Sequence, residues 1–137
     1  MLQAGTLLLA AGTLLGGVWA SYSWGRFWGW DPKETWALIA LLVYLAVLHA
    51  RFAGWIRELG LALGSILGGL AVVMAWYGVN YVLGTGLHSY GLGAGGANAW
   101  VLGYACAETA LVVASSWRFA PAAPAAKPLP GAAKGLA

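Results

Sequence analysis

Four apolar runs, about Ala4–Ala20, Thr35–Phe52, Leu59–Tyr81 and Ala99–Phe119, constrain this chain more than any other feature. Each has the roughly 17 to 25 residues that a helix needs to cross a hydrocarbon layer, and each is almost free of charge. A backbone in lipid must satisfy its own hydrogen bonds, so such runs close into helices and not into open strands. Composition agrees, with 61% of the 137 residues hydrophobic and 8% charged and a mean hydropathy of +0.77, outside the soluble globular range. The expected fold is an all-α integral membrane bundle of about four transmembrane helices, occupying residues 1–119. From Ala120 onward, "APAAPAAKPLPGAAKGLA" is Pro/Ala-rich and is expected to form a disordered cytoplasmic tail. The first run lacks a basic n-region and "GVWA" is a poor cleavage site, so it is expected to be a retained helix and not a signal peptide.

The net charge of +3 does not point to nucleic acid, because the seven Lys and Arg residues form no patch and lie at the ends of apolar runs. That distribution sets topology instead. Arg51 closes the second run and Arg57 stands before the third, while Arg118 closes the fourth, with Lys127 and Lys134 beyond it. The positive-inside rule then places the 53–58 turn and the C-terminus in the cytoplasm. The stretch "SWGRFWGWDPKETW" (residues 23–36) and the 82–98 loop share the outer face. Cys106 is the only cysteine, which excludes a disulfide or a CxxC site within this chain. Gly60, Gly64 and Gly68 in the third run, like Gly12 and Gly16 in the first, recur every four residues and are expected to let neighbouring backbones approach closely.

Trp24, Trp28, Trp30 and Trp36 crowd into residues 23–36 beside Arg26, Asp31, Lys33 and Glu34. Single tryptophans such as Trp19, Trp55, Trp100 and Trp117 suit an interfacial belt. The cluster is too dense for anchoring alone and suits a large aromatic ligand. Trp24 and Trp28 would share a helical face, while Trp28 and Trp30 would share a strand face. Arg26 and Lys33 suggest that such a ligand carries carboxylates. Asp31 has a plainer reading, since "DPKE" has the form of a helix start with Asp31 as N-cap, Pro32 at N1 and Glu34 closing a capping box.

Two histidines remain, each with two readings. His49 is either a helix-terminal histidine satisfied by a backbone carbonyl or a ligand; His88, in "GTGLHSYGLGAGG", is either a solvated loop residue or a ligand. Counted from Pro32, His49 lies about 25 Å further along a helix. It falls near the cytoplasmic side while His88 is on the outer face, so the two cannot hold one metal centre across a layer about 30 Å thick. Both His49 and Glu108 are costly to expose to lipid and are expected to face the bundle interior.

"WGRFWGWDPKETWALIALLVYLAVLHAR", followed one span later by "GLHSYGLGAGG", closely resembles the tryptophan-rich (WWD) haem-handling family, specifically the CcsA-type proteins of system II cytochrome c assembly. The resemblance runs from about Val18 to Gly96. CcmC-like sisters lack the "DPKETW" continuation and CcmF-like sisters continue differently after "WDP". The resemblance implies delivery of haem b, as transported substrate, to an outer-face site in a bacterial plasma membrane or thylakoid-type membrane, and its covalent attachment to an apocytochrome c bearing CxxCH. It makes His49 the transmembrane haem-iron ligand and His88 an axial ligand of the outer site. Trp24, Trp28, Trp30 and Asp31 belong to the platform under the haem, with Arg26 or Lys33 near its propionates. It also implies a CcsB-like membrane partner and a component of a cytochrome c synthase, the alternative being a haem exporter or carrier subunit without synthase activity. The family has a second external histidine upstream of the tryptophans, absent here; the expectation is the C-terminal part of a longer protein, or ligands supplied by another chain.

Overall fold

The computed structural model describes residues 1–88 and 98–119, and these contain helices and no strand. Four helices are long and apolar enough to cross a membrane, and the chain is an integral membrane helix bundle. Helix α1 spans Leu2–Trp24, α2 Pro32–Phe52 and α3 Glu58–Val73; α3 continues without a break into a π-helical segment, Met74–Leu83, and α4 spans Asn98–Arg118. Residues 89–97, within the stretch expected to be a loop, and the Pro/Ala-rich residues 120–137 lie outside the described residues.

Helix α1 runs a turn beyond the end expected at Ala20, because the apolar run is followed by the amphipathic "SYSW", which continues the helix to Trp24. It stops where Gly25 adopts φ 69° and its N–H bonds the Ser21 carbonyl, the left-handed ending that glycine permits. Helix α2 starts on a complete capping box: Asp31 accepts from the Glu34 backbone N–H, and Glu34 accepts from the Asp31 N–H. Pro32 sits at the first helical position, where its missing N–H costs nothing.

Helix α2 is the hub, packing chiefly on α3, then on the π-helical segment and α1, whereas α4 touches mainly α3. The α2–α3 contact is built on two of the expected glycines. A Cβ on Gly64 would come 2.5 Å from Val47 Cγ2, and one on Gly68 would come 2.5 Å from Tyr44 Cε1. Lipid is as apolar as leucine, so helix association depends on this close packing and not on expulsion of water. Gly12 and Gly16 behave differently from expectation: nothing lies within 4 Å of a Cβ added to either. The glycine of α1 that is filled is Gly17, against which the Phe27 ring packs at 2.7 Å from the hypothetical Cβ.

Replacing Gly68 with Val is expected to drive the Tyr44 ring off its seat and destabilise the α2–α3 pair by about 1–3 kcal/mol, whereas Gly12→Val leaves the bundle's thermal unfolding unchanged. Detergent-solubilised protein followed by circular dichroism distinguishes the two.

The π-helical segment had no counterpart in the apolar pattern, which gives length but not turn width. Its wider turns place the Tyr77 and Tyr81 rings 4.6 Å apart in a stack and set the Met74 thioether over Gly78, where any Cβ would collide with it. They also aim Asn80 at the start of α2, where its Oδ1 accepts from Lys33 Nζ at 3.2 Å. Such wide turns are uncommon and concentrate at functional sites.

Candidate functional site

The N-terminal end of α2 gathers residues from three separate parts of the chain. Asp31 is held there by its capping role, which uses only Oδ1 (3.0 Å from Glu34 N). Its other oxygen, Oδ2, contacts His88 Nδ1. Both side chains are covered, Asp31 at 7% and His88 at 16% exposure. Burial pushes the Asp31 carboxyl up, yet the Glu34 backbone N–H and His88 outweigh it and hold Asp31 below its ordinary value. Asp31 is therefore an ionised acceptor at neutral pH. An ionised carboxylate has no proton to give, so the proton in this bond sits on His88 Nδ1, and a neutral ring then carries its lone pair on Nε2.

Two glycines let His88 reach this position. Gly84 (φ 59°) ends the π-helical segment and Gly86 (φ 95°) folds the loop back over the start of α2. A Cβ on Gly86 would sit 2.9 Å from Pro32 Cδ and 3.3 Å from Asp31 Cβ. Gly86 thus brings the chain into close contact with the start of α2. Trp24 then closes the other side of His88, ring centroids 4.6 Å apart and edge to face, and is in turn braced by Trp19 at 5.0 Å.

The remaining tryptophans divide otherwise than a helical continuation would have them. Trp24 is the last residue of α1, whereas Trp28 and Trp30 lie in an irregular loop with their rings 5.8 Å apart and nearly perpendicular. Trp30 has φ 59°, a left-handed conformation costing a non-glycine residue about 1–3 kcal/mol. Its carbonyl accepts from Thr35 Oγ1 at 3.4 Å, and the residue is 69% exposed.

Beneath this loop a cleft of about 390 Å³ runs between α1 and α2, with Gly12, Gly16 and Trp28 on its walls and Lys33, Glu34 and His88 among its lining. That volume lies within the usual range for small-molecule sites. The open sides of Gly12 and Gly16 are what widen it. Of the two expected carboxylate partners, Lys33 lines the cleft, while Arg26 forms an ion pair with Glu34 at 3.4 Å. Glu34 thus does more than the capping role expected of it. Asp31, Glu34 and His88 also bring one donor atom each within 4.8 Å of one another, but the hydrogen bonds above already engage both carboxylates.

His49 stands apart, towards the far end of α2. It is exposed on the described bundle and not turned into its interior, because the face of α2 that meets α3 carries Tyr44 and Val47 instead. Its Nδ1 bonds the Leu45 carbonyl at 2.7 Å. A carbonyl only accepts, so Nδ1 carries a proton and Nε2 is left outward, the same tautomer logic as at His88. Glu108, expected inside, is half-exposed on α4.

The family model described as "Cytochrome C assembly protein" matches residues 1–88, the segment that holds the cleft, the tryptophan loop and both histidines. The chain belongs to the cytochrome c assembly protein family. "Cytochrome c biogenesis protein CcsA" of Prochlorococcus marinus (strain MIT 9303) is 50% identical over 91 residues, covering 66% of this chain and 28% of its own length. Proteins of the same description from Synechococcus sp. (strain WH7803) and Synechococcus sp. (strain CC9902) are 50% and 48% identical over 91 residues, covering 66% of this chain and 28% and 29% of their own lengths. The chain therefore spans a little over a quarter of the curated relatives it matches. No solved structure matches it. Helix α4 lies beyond the family match, and it is also the helix that packs least on the others.

Sequence reasoning missed Asn80, the anchoring role of Glu34 and the packing of Phe27 on Gly17. Asn80 had a visible signal, as an amide at the end of an otherwise apolar run. Arg26 and Glu34 had none, since eight residues spanning a helix start match no periodic template.

Proposed function

We propose that this chain takes part in presenting haem, as a transported substrate, to an apocytochrome c at the outer face of the membrane. The observation that carries the reading is His88, held through Nδ1 by Asp31 and flanked by Trp24, at the end of a cleft walled by Trp28. A metal-ligating histidine ordinarily donates its other ring N–H to a carboxylate, which fixes the tautomer and raises the basicity of the ligating nitrogen. Asp31 supplies that carboxylate, and His88 Nε2 is the nitrogen assigned to haem iron. Trp28 and Trp30 offer the flat surfaces beside it, and Lys33 the cation for a propionate. Arg26 is assigned to shaping the loop.

His49 is assigned to a second, inner haem site, with Nε2 as its ligating nitrogen. The tryptophan loop and His88 are assigned to the outer face and the C-terminus to the cytoplasm, following the distribution of Arg and Lys. The chain's own contribution to thioether formation is positioning, since the vinyl groups and the cysteine thiols of a CxxCH segment supply the reacting atoms. A CcsB-like membrane protein is the proposed partner, and residues 120–137 are assigned to a cytoplasmic tail.

The direct test titrates haemin into the purified chain in detergent and follows the Soret band. Binding with a shifted band that His88→Ala weakens and added imidazole restores supports the outer site. A spectrum that never departs from free haemin leaves a structural bundle whose tryptophans only anchor it.

A further inference from the structure

We propose, on the strength of the outer-site reading above, that Glu34 is the positioning residue of the tryptophan platform, its carboxylate setting the shape of residues 25–31 and hence the placement of Trp28 and Trp30. A capping box asks of Glu34 only a bond to the N-cap N–H, and that bond is the longer of its two backbone contacts at 3.3 Å. The shorter, 2.7 Å, comes from the Gly29 N–H to the same oxygen, Oε2. Oε2 therefore gathers the two backbone N–H groups on either side of Trp30, and the residue between them is the one at φ 59°. Converging N–H groups around a left-handed residue form a cup for one anionic oxygen. The cup and the conformation of Trp30 depend on each other.

The second carboxylate oxygen fixes the rest of the loop. Oε1 takes Arg26 Nη1 at 3.4 Å, and the guanidinium lies over Gly29 where any Cβ would collide with it. Glu34 is 7% exposed at its side chain, a buried charge tolerable only because these donors surround it. Relaxation of Trp30 to negative φ would swing its indole away from Trp28, so the 5.8 Å perpendicular pair requires the carboxylate. Glu34 lines the cleft, but both its oxygens are taken up by the loop's own donors, so it acts through the loop.

Glu34→Gln separates positioning from capping, because glutamine serves a capping box as well as glutamate does. Its one carbonyl oxygen still meets both the Asp31 and the Gly29 N–H, but without the negative charge that the cup and the guanidinium answer to, and its amide N–H₂ faces Arg26 where an acceptor stood. The experiment uses the full chain in detergent, reading the near-ultraviolet circular dichroism of the coupled indoles and the haemin titration, with Trp30→Phe identifying the Trp28–Trp30 contribution. With the charge and the Arg26 clamp gone, Glu34→Gln is expected to diminish that contribution while keeping wild-type helicity, and to bind haemin about tenfold more weakly, the low end of losses seen for residues supporting a ligating group. Gly29→Ala, which leaves Glu34 in place but expels the guanidinium, is expected to act in the same direction and carries the test if Glu34→Gln fails to fold. Wild-type dichroism and wild-type haemin affinity in the variants would overturn the proposal and leave Glu34 a cap. Absence of haemin binding in the wild type would instead overturn the outer-site reading, with the dichroism still deciding the role of Glu34.

Discussion

Asp31→Asn is expected to fold with near wild-type stability and to lose haemin affinity at the outer site by about 10- to 100-fold, the range for loss of a partner behind a metal ligand. The reason is a count of oxygens. Asp31 uses Oδ1 for the Glu34 N–H and Oδ2 for His88, while asparagine has one carbonyl oxygen. Asparagine is as good an N-cap as aspartate, so the single oxygen stays with the backbone and the amide N–H₂ turns towards His88. Two donors then face each other unless His88 changes tautomer. In the new tautomer Nδ1 accepts and Nε2 carries the proton, and a protonated Nε2 cannot bind iron.

Asp31→Ala removes both interactions at once. Its expected cost is about 0.5–2 kcal/mol of stability from the lost cap, in addition to the weakened binding. Thermal unfolding by circular dichroism and haemin titration, run on both variants, separate the effects: alanine moves both readouts and asparagine only the second. Imidazole added to Asp31→Asn is expected to restore the ligated Soret band, since it supplies the missing nitrogen. Wild-type haemin affinity in Asp31→Asn would show that His88 does not ligate through Nε2.

This arrangement also marks where the sequence stops being legible. The capping box is local, written in four consecutive residues, and it forms as its pattern predicts. The four spans are equally local, because bilayer thickness fixes their length. The pairing of Asp31 with His88 joins residues 57 apart and depends on a π-helical turn and on positive φ at Gly84 and Gly86, none of which leaves a periodic trace. Glycine spacing shows the same limit. Gly64 and Gly68 meet Val47 and Tyr44, whereas the equally spaced Gly12 and Gly16 meet nothing within 4 Å; spacing identifies a face but not what it faces. For His49, the cost of a polar ring in lipid argued for the interior, and one hydrogen bond to Leu45 reduces that cost without burying the ring.

The histidine variants should give the largest functional effect. Co-expressed with a CcsB-like partner and an apocytochrome c bearing CxxCH, His88→Ala is expected to abolish covalent haem on the cytochrome, read by haem stain after denaturing electrophoresis. His88 meets α2 at its first turn, and His49 lies about 25 Å further along that helix. No single iron reaches both, so the two losses should be independent, as for sites without shared partners. His88→Ala is therefore expected to retain a residual Soret band from haem held at His49, and the double variant none. His49→Ala should lower the amount of haem reaching the outer site while leaving the affinity of that site for added haemin unchanged. Undiminished maturation in His88→Ala would remove it as the outer ligand. Loss of all bound haem in either single variant would collapse the two sites into one and contradict the separation along α2.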